Sequence, residues 1–349
     1  MKISGNIGEW SELYVLLRLL ADGRVYTATE DLTRMEDCFL PILKIFRNES
    51  KDYCLTYDMT NKNWIELYLN GSKIRRFEIK ELSEMAEKFC EVLKQGNYSS
   101  FGEQVVHKLK CISIKASSVD KTDITMQVHD PFTNYDRICG YSIKSDIGGS
   151  PTLFNASKST NFKFEILGLD NKQIEEINSI EGNSKIRRRV QRMKEIKFVG
   201  LLNETFSKNL LFIDTQMERF LAEMLKIYYT EGIANCSDLV TEMEERDTFG
   251  FGVSNLYRHK LKKFLCAVAL GLKPTIAWNG MDEANGGYII VKDNGEVVAY
   301  HLHDRNSFEN YLLNNTKFDT PSSTKHRFGK IYSDNNRNFI NLNFQIRFK

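Results

Sequence analysis

Proline is scarce, 5 in 349 residues, so the chain carries no rigid Pro-rich spacer. The seven cysteines, Cys38, Cys54, Cys90, Cys111, Cys139, Cys236 and Cys266, are odd in number and dispersed, with no CxxC pair. That spacing excludes a zinc ribbon and a disulfide framework and fits a reducing, cytoplasmic setting. Charge of one sign is lacking too: 48 basic residues stand against 46 acidic, a net of +2. Any basic surface must therefore be local. The longest apolar run, Phe264 to Leu272, is far short of the roughly 20 residues of a membrane span, and Met1 to Gly5 has no signal-peptide core. No membrane association is expected. GxxxxGK[ST], GxSxG and HExxH are all missing, so nucleotide-driven translocation, α/β-hydrolase chemistry and zinc proteolysis have no signature here.

At 42% hydrophobic and 27% charged, the sequence instead reads as folded, with one large or two ordinary cores. Apolar positions 10, 13, 16, 17 and 20 recur at the helical period, predicting a first helix that Ala21-Asp22-Gly23 ends. From residue 39 to about 80 short β-rich runs follow, with Asn70-Gly71 as a hairpin turn. A helix is expected over 82–94, a polar connector over 96–102, strands over 112–116 and 161–167, and helices over 175–183, 186–197, 217–229 and 256–270. Ser150-Pro151 has the form of an N-cap and first helical residue, predicting a helix over 150–157. Beyond Thr275 the texture turns to strands. The chain thus reads as mixed α/β, divided near residue 226 into a 1–225 region with a β-rich insertion at 39–80 and a helical then β-rich 226–349 region.

One hairpin carries the chemistry. Asp123 to Asp130 and Arg137 to Lys144 alternate as strands about a Pro131-Phe132-Thr133-Asn134 turn. A turn centred between Thr133 and Asn134 sets Asp123 across from Lys144, within about 5 Å by Cβ. Such a pair is, at its plainest, a cross-strand ion pair. An acid followed about twenty residues later by a lysine on the next strand is also the spacing of PD-(D/E)XK nucleases, in which acids bind a divalent metal and the lysine activates water. Here Ser142 stands where the second acid belongs. The first helix is the natural source of a replacement, Glu12 or Glu9, with Glu165 as the next choice; the residue between, Ile143, contributes its backbone carbonyl.

Longer strings extend the pattern. Gly5-Asn6-Ile7-Gly8-Glu9-Trp10-Ser11-Glu12, Gly140-Tyr141-Ser142-Ile143-Lys144-Ser145, Ser150 to Ser157, Lys325-His326-Arg327-Phe328-Gly329 and Leu342 to Phe348 resemble the HpaII-type group of type II restriction endonucleases over most of the chain. The resemblance implies a PD-(D/E)XK-like core, built from the first helix and residues of about 105–225 with a β-rich C-terminal region. It implies Mg²⁺ as cofactor and double-stranded DNA as substrate, cleaved to 5′-phosphate ends. It also implies a homodimer and a cognate DNA methyltransferase as functional partner. Carried over, Asp123 is the metal-binding acid and Lys144 the lysine of the motif.

Lys185 to Lys194 is the densest positive charge, and on a helix Arg188, Arg189 and Arg192 share a face that can neutralise phosphates. The polar stretch 320–327 offers Lys325 and Arg327 to base edges. Each also reads as ordinary solvated surface. His301-Leu302-His303 aims two imidazoles one way but lacks a third ligand. Two rivals remain: a structure-selective or repair nuclease on the same core, and a catalytically inactive DNA-binding protein in which Ser142 marks a lost site.

Overall fold

Asn6 starts the first helix. Its side chain accepts from the Glu9 N–H while Glu9 accepts from the Asn6 N–H, satisfying two otherwise orphaned donors. Gly23, at φ 66°, ends it with an N–H bond to Leu19 O. The computed structural model describes residues 3–115 and 122–349.

In chain order α1 (Ile7–Asp22) is followed by β1 (Arg24–Ala28), β2 (Arg34–Ser50), β3 (Tyr53–Asp58), β4 (Trp64–Leu69) and β5 (Ser72–Glu78). Then come α2 (Ile79–Lys94), α3 (Ser99–Lys108), β6 (Ile124–Asp130) and β7 (Tyr135–Ser145). Next are β8 (Thr152–Phe154), β9 (Phe162–Leu167), α4 (Asn171–Asn178), α5 (Lys185–Val190), β10 (Glu195–Leu201), α6 (Glu204–Leu211), α7 (Met217–Glu231), α8 (Cys236–Glu245) and α9 (Leu256–Leu270). Finally β11 (Gly287–Val291), β12 (Val297–His301), α10 (Arg305–Asn315), β13 (Thr316–Asp319), α11 (Ser323–His326), β14 (Ile331–Asp334), β15 (Arg337–Leu342) and β16 (Gln345–Phe348) complete the chain. The mixed α/β class expected from the sequence is the one observed.

The chain forms two compact units, 1–151 with 282–311, and 152–281 with 312–349. The first holds a nine-stranded sheet, β1-β12-β11-β7-β6-β2-β3-β4-β5, in which β1 also pairs with β2, so that six of the strands close on themselves. Closure rests on the length of β2. Its first half pairs with β1 and its second half with β6 and β3, and the register shifts between Ile42 and Lys44 as it changes partner. Against this sheet α1 is nearly enclosed: from Trp10 to Leu20 only Glu12 and Arg18 keep access to solvent.

The second unit carries a four-stranded sheet, β10-β9-β15-β14, and a three-stranded one, β13-β16-β8. Phe154, Phe162, Phe206, Phe318 and Phe344 pack there with ring centroids 4.5–6.5 Å apart.

Several expectations need correction. The division near residue 226 falls inside α7 of the second unit. The first unit also regains β11 and β12, because β11 adds parallel to β7 and parallel strands need a long connection between them; residues 152–281 lie in that connection. A core drawn over 105–225 therefore joins parts of two units. Strands β2 to β5 extend the main sheet and are not an insertion. The helix expected over 150–157 contains strand β8, since Phe154 and Thr152 pair with Ile346 and Arg347. The helix expected over 186–197 stops at Val190, and its last residues, from Glu195, begin β10 along β9. The connector of 96–102 opens α3. Residues 112–115 form no strand, and Ala116 lies outside the described residues.

The hairpin register also differs. The ladder pairs Ile124 with Tyr141 and Asp130 with Tyr135, leaving Pro131 to Asn134 as the loop. The Asp130 carboxylate shifts the turn. It is buried, accepts from the N–H groups of Phe132 (2.9 Å) and Thr133 (3.4 Å), and pairs with Arg137 at 2.6 Å, while Asn134 takes the left-handed conformation. Relative to the expectation β7 slides by two residues, which preserves the face each side chain occupies. Replacing Asp130 with Ala should leave two backbone donors and Arg137 without their acceptor, lowering unfolding free energy by about 1–3 kcal/mol in urea titration; an unchanged midpoint would show that the turn holds without this carboxylate.

Candidate active site

At its open end the β6–β7 ladder meets α1. Continued by one residue, its register sets Asp123 beside Ser142, and the side chains follow. Asp123 Oδ2 accepts from the Ile143 N–H at 2.7 Å and from Ser142 Oγ at 3.2 Å. Lys144 follows Ser142 on the same face of β7. Ser142, standing where the sequence pattern expects an acid, is thus a donor that orients one.

A second carboxylate reaches Asp123 from α1. Glu12 and Asp123 line one pocket together with Leu16, Thr122 and Ile45 to Asn48. Burial and then the Asp123 charge push the Glu12 carboxyl up to about 7, against the opposing pull of Lys115 and Lys144. Glu9 is less available, because its Oε2 accepts from the Asn6 N–H at 2.9 Å in the helix cap. Glu165 is in the second unit, on β9, held in a two-point ion pair by Arg337.

Two residues at this pocket escaped sequence reading. Lys115 Nζ lies 3.3 Å from Glu12 and 3.8 Å from Glu9. Arg47, buried beneath, pairs with Glu49 at 2.6 Å and donates to the carbonyls of Ser113 and Ile114, 2.8 Å each. It pins the irregular segment that carries Lys115. The signal for Arg47 was its place in the apolar alternation of β2, where an arginine demands an internal partner.

The two acids fit a hard divalent cation: both offer oxygen, and their mutual repulsion favours a positive charge between them. Among the described residues no three His, Cys, Asp or Glu side chains converge as a metal cluster, so further ligands would be backbone oxygen and water. The His301–His303 pair is no second centre. The rings stack at 5.3 Å, His301 Nδ1 lies 3.2 Å from the Tyr141 hydroxyl, and burial holds His301 down to about 3, neutral.

The basic candidates lie in the second unit, and the structure sorts them. Arg189 is 1% exposed and donates to the carbonyls of Asn178, Ile180 and Gly329, so its expected place on a DNA-facing surface is corrected to a buried strut tying α5 to the segment after α11. Because α5 ends at Val190, the three arginines do not share a helix face. Arg188, Arg192, Lys325 and Arg327 are exposed. The strut brings the two basic segments together, and Lys185, Arg187 and Pro321 to Thr324 line one cavity there.

With this geometry established, a family model described as HpaII restriction endonuclease matches residues 6–348. The chain belongs to the HpaII restriction endonuclease family. A curated relative, the type II restriction enzyme HpaII of Haemophilus parainfluenzae, is 41% identical over 359 aligned residues, covering 99% of this chain and 98% of that protein. No solved structure matches. As a member of the HpaII family the chain is a type II restriction endonuclease, a site-specific deoxyribonuclease. Among the described residues no helix is long and apolar enough to cross a membrane.

Glu12 makes the site costly without a cation. The unfolded chain ionises it near 4.5 but the folded one only near 7, so its contribution to stability is intact below pH 4.5 and is lost as pH rises through 7. Glu12→Gln should therefore raise the stability of the metal-free protein at pH 8 by on the order of 2 kcal/mol, and change it little at pH 4.5. Melting temperatures in EDTA at both pH values check this; an equal difference at each would mean that Glu12 carries no buried charge.

Proposed function

We propose that this restriction endonuclease hydrolyses both strands of duplex DNA at a short sequence with Mg²⁺, on a PD-(D/E)XK-type site of Asp123, Glu12 and Lys144. What carries the reading is one observation: Glu12 of α1 and Asp123 line one pocket beside the β6–β7 hairpin, where Ser142 and Ile143 hold the Asp123 carboxylate, in a chain whose family is a restriction endonuclease family. Asp123 and Glu12, with the Ile143 carbonyl, would hold the cation. Bound there, the cation polarises the scissile phosphate and acidifies the attacking water.

The chain's own groups do the rest. The Ser142 hydroxyl and the Ile143 N–H aim Asp123. Lys144 orients the water by hydrogen bonding and offsets the negative charge that grows on the phosphate oxygens. In-line attack opposite the 3′ oxygen leaves 5′-phosphate and 3′-hydroxyl ends. Glu9 supports this set by capping α1, holding Glu12 at its post.

Arg188, Arg192, Lys325 and Arg327 would serve the second unit as its DNA contacts, with Arg188 and Arg192 on phosphates and Lys325 or Arg327 at base edges. A palindromic site calls for two copies, so the protein would act as a homodimer. A partner methyltransferase would protect the host's own sites. The seven cysteines are all free, in keeping with work in the cytoplasm.

Purified protein incubated with unmethylated phage DNA should give discrete bands with Mg²⁺ and none with EDTA. Asp123→Asn and Lys144→Ala should each lower cleavage at least ~100-fold with duplex binding retained; bands from either variant at the wild-type rate would remove that residue from the site. Arg188→Ala and Arg192→Ala should weaken duplex binding and reduce the slope of log affinity against log salt by about 1 each. An unchanged slope would take that side chain off the phosphates.

A further inference from the structure

The pocket that would take the divalent cation already faces a charged side chain of the protein. Lys115 Nζ approaches Glu12 Oε1 at 3.3 Å and Glu9 Oε1 at 3.8 Å, and its charge also acts on Asp123. Its position is built. The buried Arg47 guanidinium holds the carbonyls of Ser113 and Ile114, and the Ser113 hydroxyl donates to Glu49 Oε2 at 2.6 Å. Tyr57 and Tyr53 anchor the approach to this segment through Leu109 O and Lys110 O. The backbone at Lys115 is thus secured to β2 and β3, while its side chain, 52% exposed, ends in a compact ammonium on a flexible stem.

We propose that Lys115 is an internal counter-cation that neutralises Glu12 in the metal-free enzyme and competes with the divalent metal for it. This rests on the reading of Glu12 and Asp123 as the metal-binding acids. Without Lys115, two carboxylates would share a half-buried pocket with the charge of Lys144 alone to offset them. With Lys115 in place the pocket is tolerable empty, at the expense of metal affinity. Once the cation takes over Glu12, the ammonium is released on its stem and remains at the mouth of the pocket, where a phosphate can accept from it.

Calorimetric titration of the full-length protein with Mn²⁺, without DNA, tests this in the wild type and in Lys115→Met, Lys115→Arg and Asp123→Asn. Removing a positive charge within about 4 Å of a ligand oxygen should tighten Mn²⁺ binding about tenfold in Lys115→Met. Lys115→Arg, which keeps the charge, should stay within about threefold of wild type, whereas a residue needed only for shape would be affected by both changes alike. Asp123→Asn should weaken binding at least tenfold. If Asp123→Asn weakens Mn²⁺ binding as expected but Lys115→Met binds no tighter than wild type, the counter-cation role is overturned and the metal site stands. If Asp123→Asn binds Mn²⁺ as wild type does, the metal site itself is wrong and the proposal goes with it.

Discussion

The parallel pairing of β11 with β7 is the constraint on which the rest of the architecture depends. Antiparallel neighbours can be joined by a few residues, but a parallel neighbour requires the chain to travel back the length of the strand before pairing again. Here that return runs through residues 152–281, which belong to the second unit. Completing the main sheet and presenting the basic surface of the second unit are therefore parts of one topological solution. The site hairpin sits at its centre, with β2 hydrogen-bonded to β6 and β11 to β7. A strand secured on both edges is a rigid mount for its side chains.

On that mount the protein keeps an arrangement that works against its own stability. Glu12 is one of only two positions between Trp10 and Leu20 not fully enclosed, and it lines one pocket with Asp123. Ser142 and Ile143 hydrogen-bond one acid, and Lys115 pairs with the other. Arg47, far from exposed itself, acts through the segment that it pins.

The second unit treats its positive charge differently. Of the arginines in the 185–194 cluster, Arg189 is spent inside, satisfying carbonyls from two other segments, and this leaves its neighbours at the surface. One buried guanidinium with full hydrogen bonding thereby organises the exposed ones.

Much of the fold was legible in the sequence where a single local signal dominated: the capped, 3.6-periodic α1, the Asn70-Gly71 hairpin, and the apolar helices α7 and α9. That Asp123 and Lys144 belong to one hairpin was legible too, and their shared face survived a wrong turn centre because a two-residue slide keeps strand parity. Local signals misled where pairing decided the outcome. Ser150-Pro151 looks like a helix start, yet β8 is drawn into a sheet by Ile346 and Arg347, nearly two hundred residues away; the 186–197 periodicity broke because β9 offered an edge to β10. Where Glu9, Glu12 and Glu165 lie was likewise closed to sequence, since only the fold puts Glu9 in a helix cap, pairs Glu165 with Arg337 and sets Glu12 in one pocket with Asp123. Sequence by itself determined the chemical types present and their spacing along strands and helices, because these follow from neighbours in the chain. Only the tertiary structure decided which charges meet, because burial and partner choice depend on contacts between distant segments.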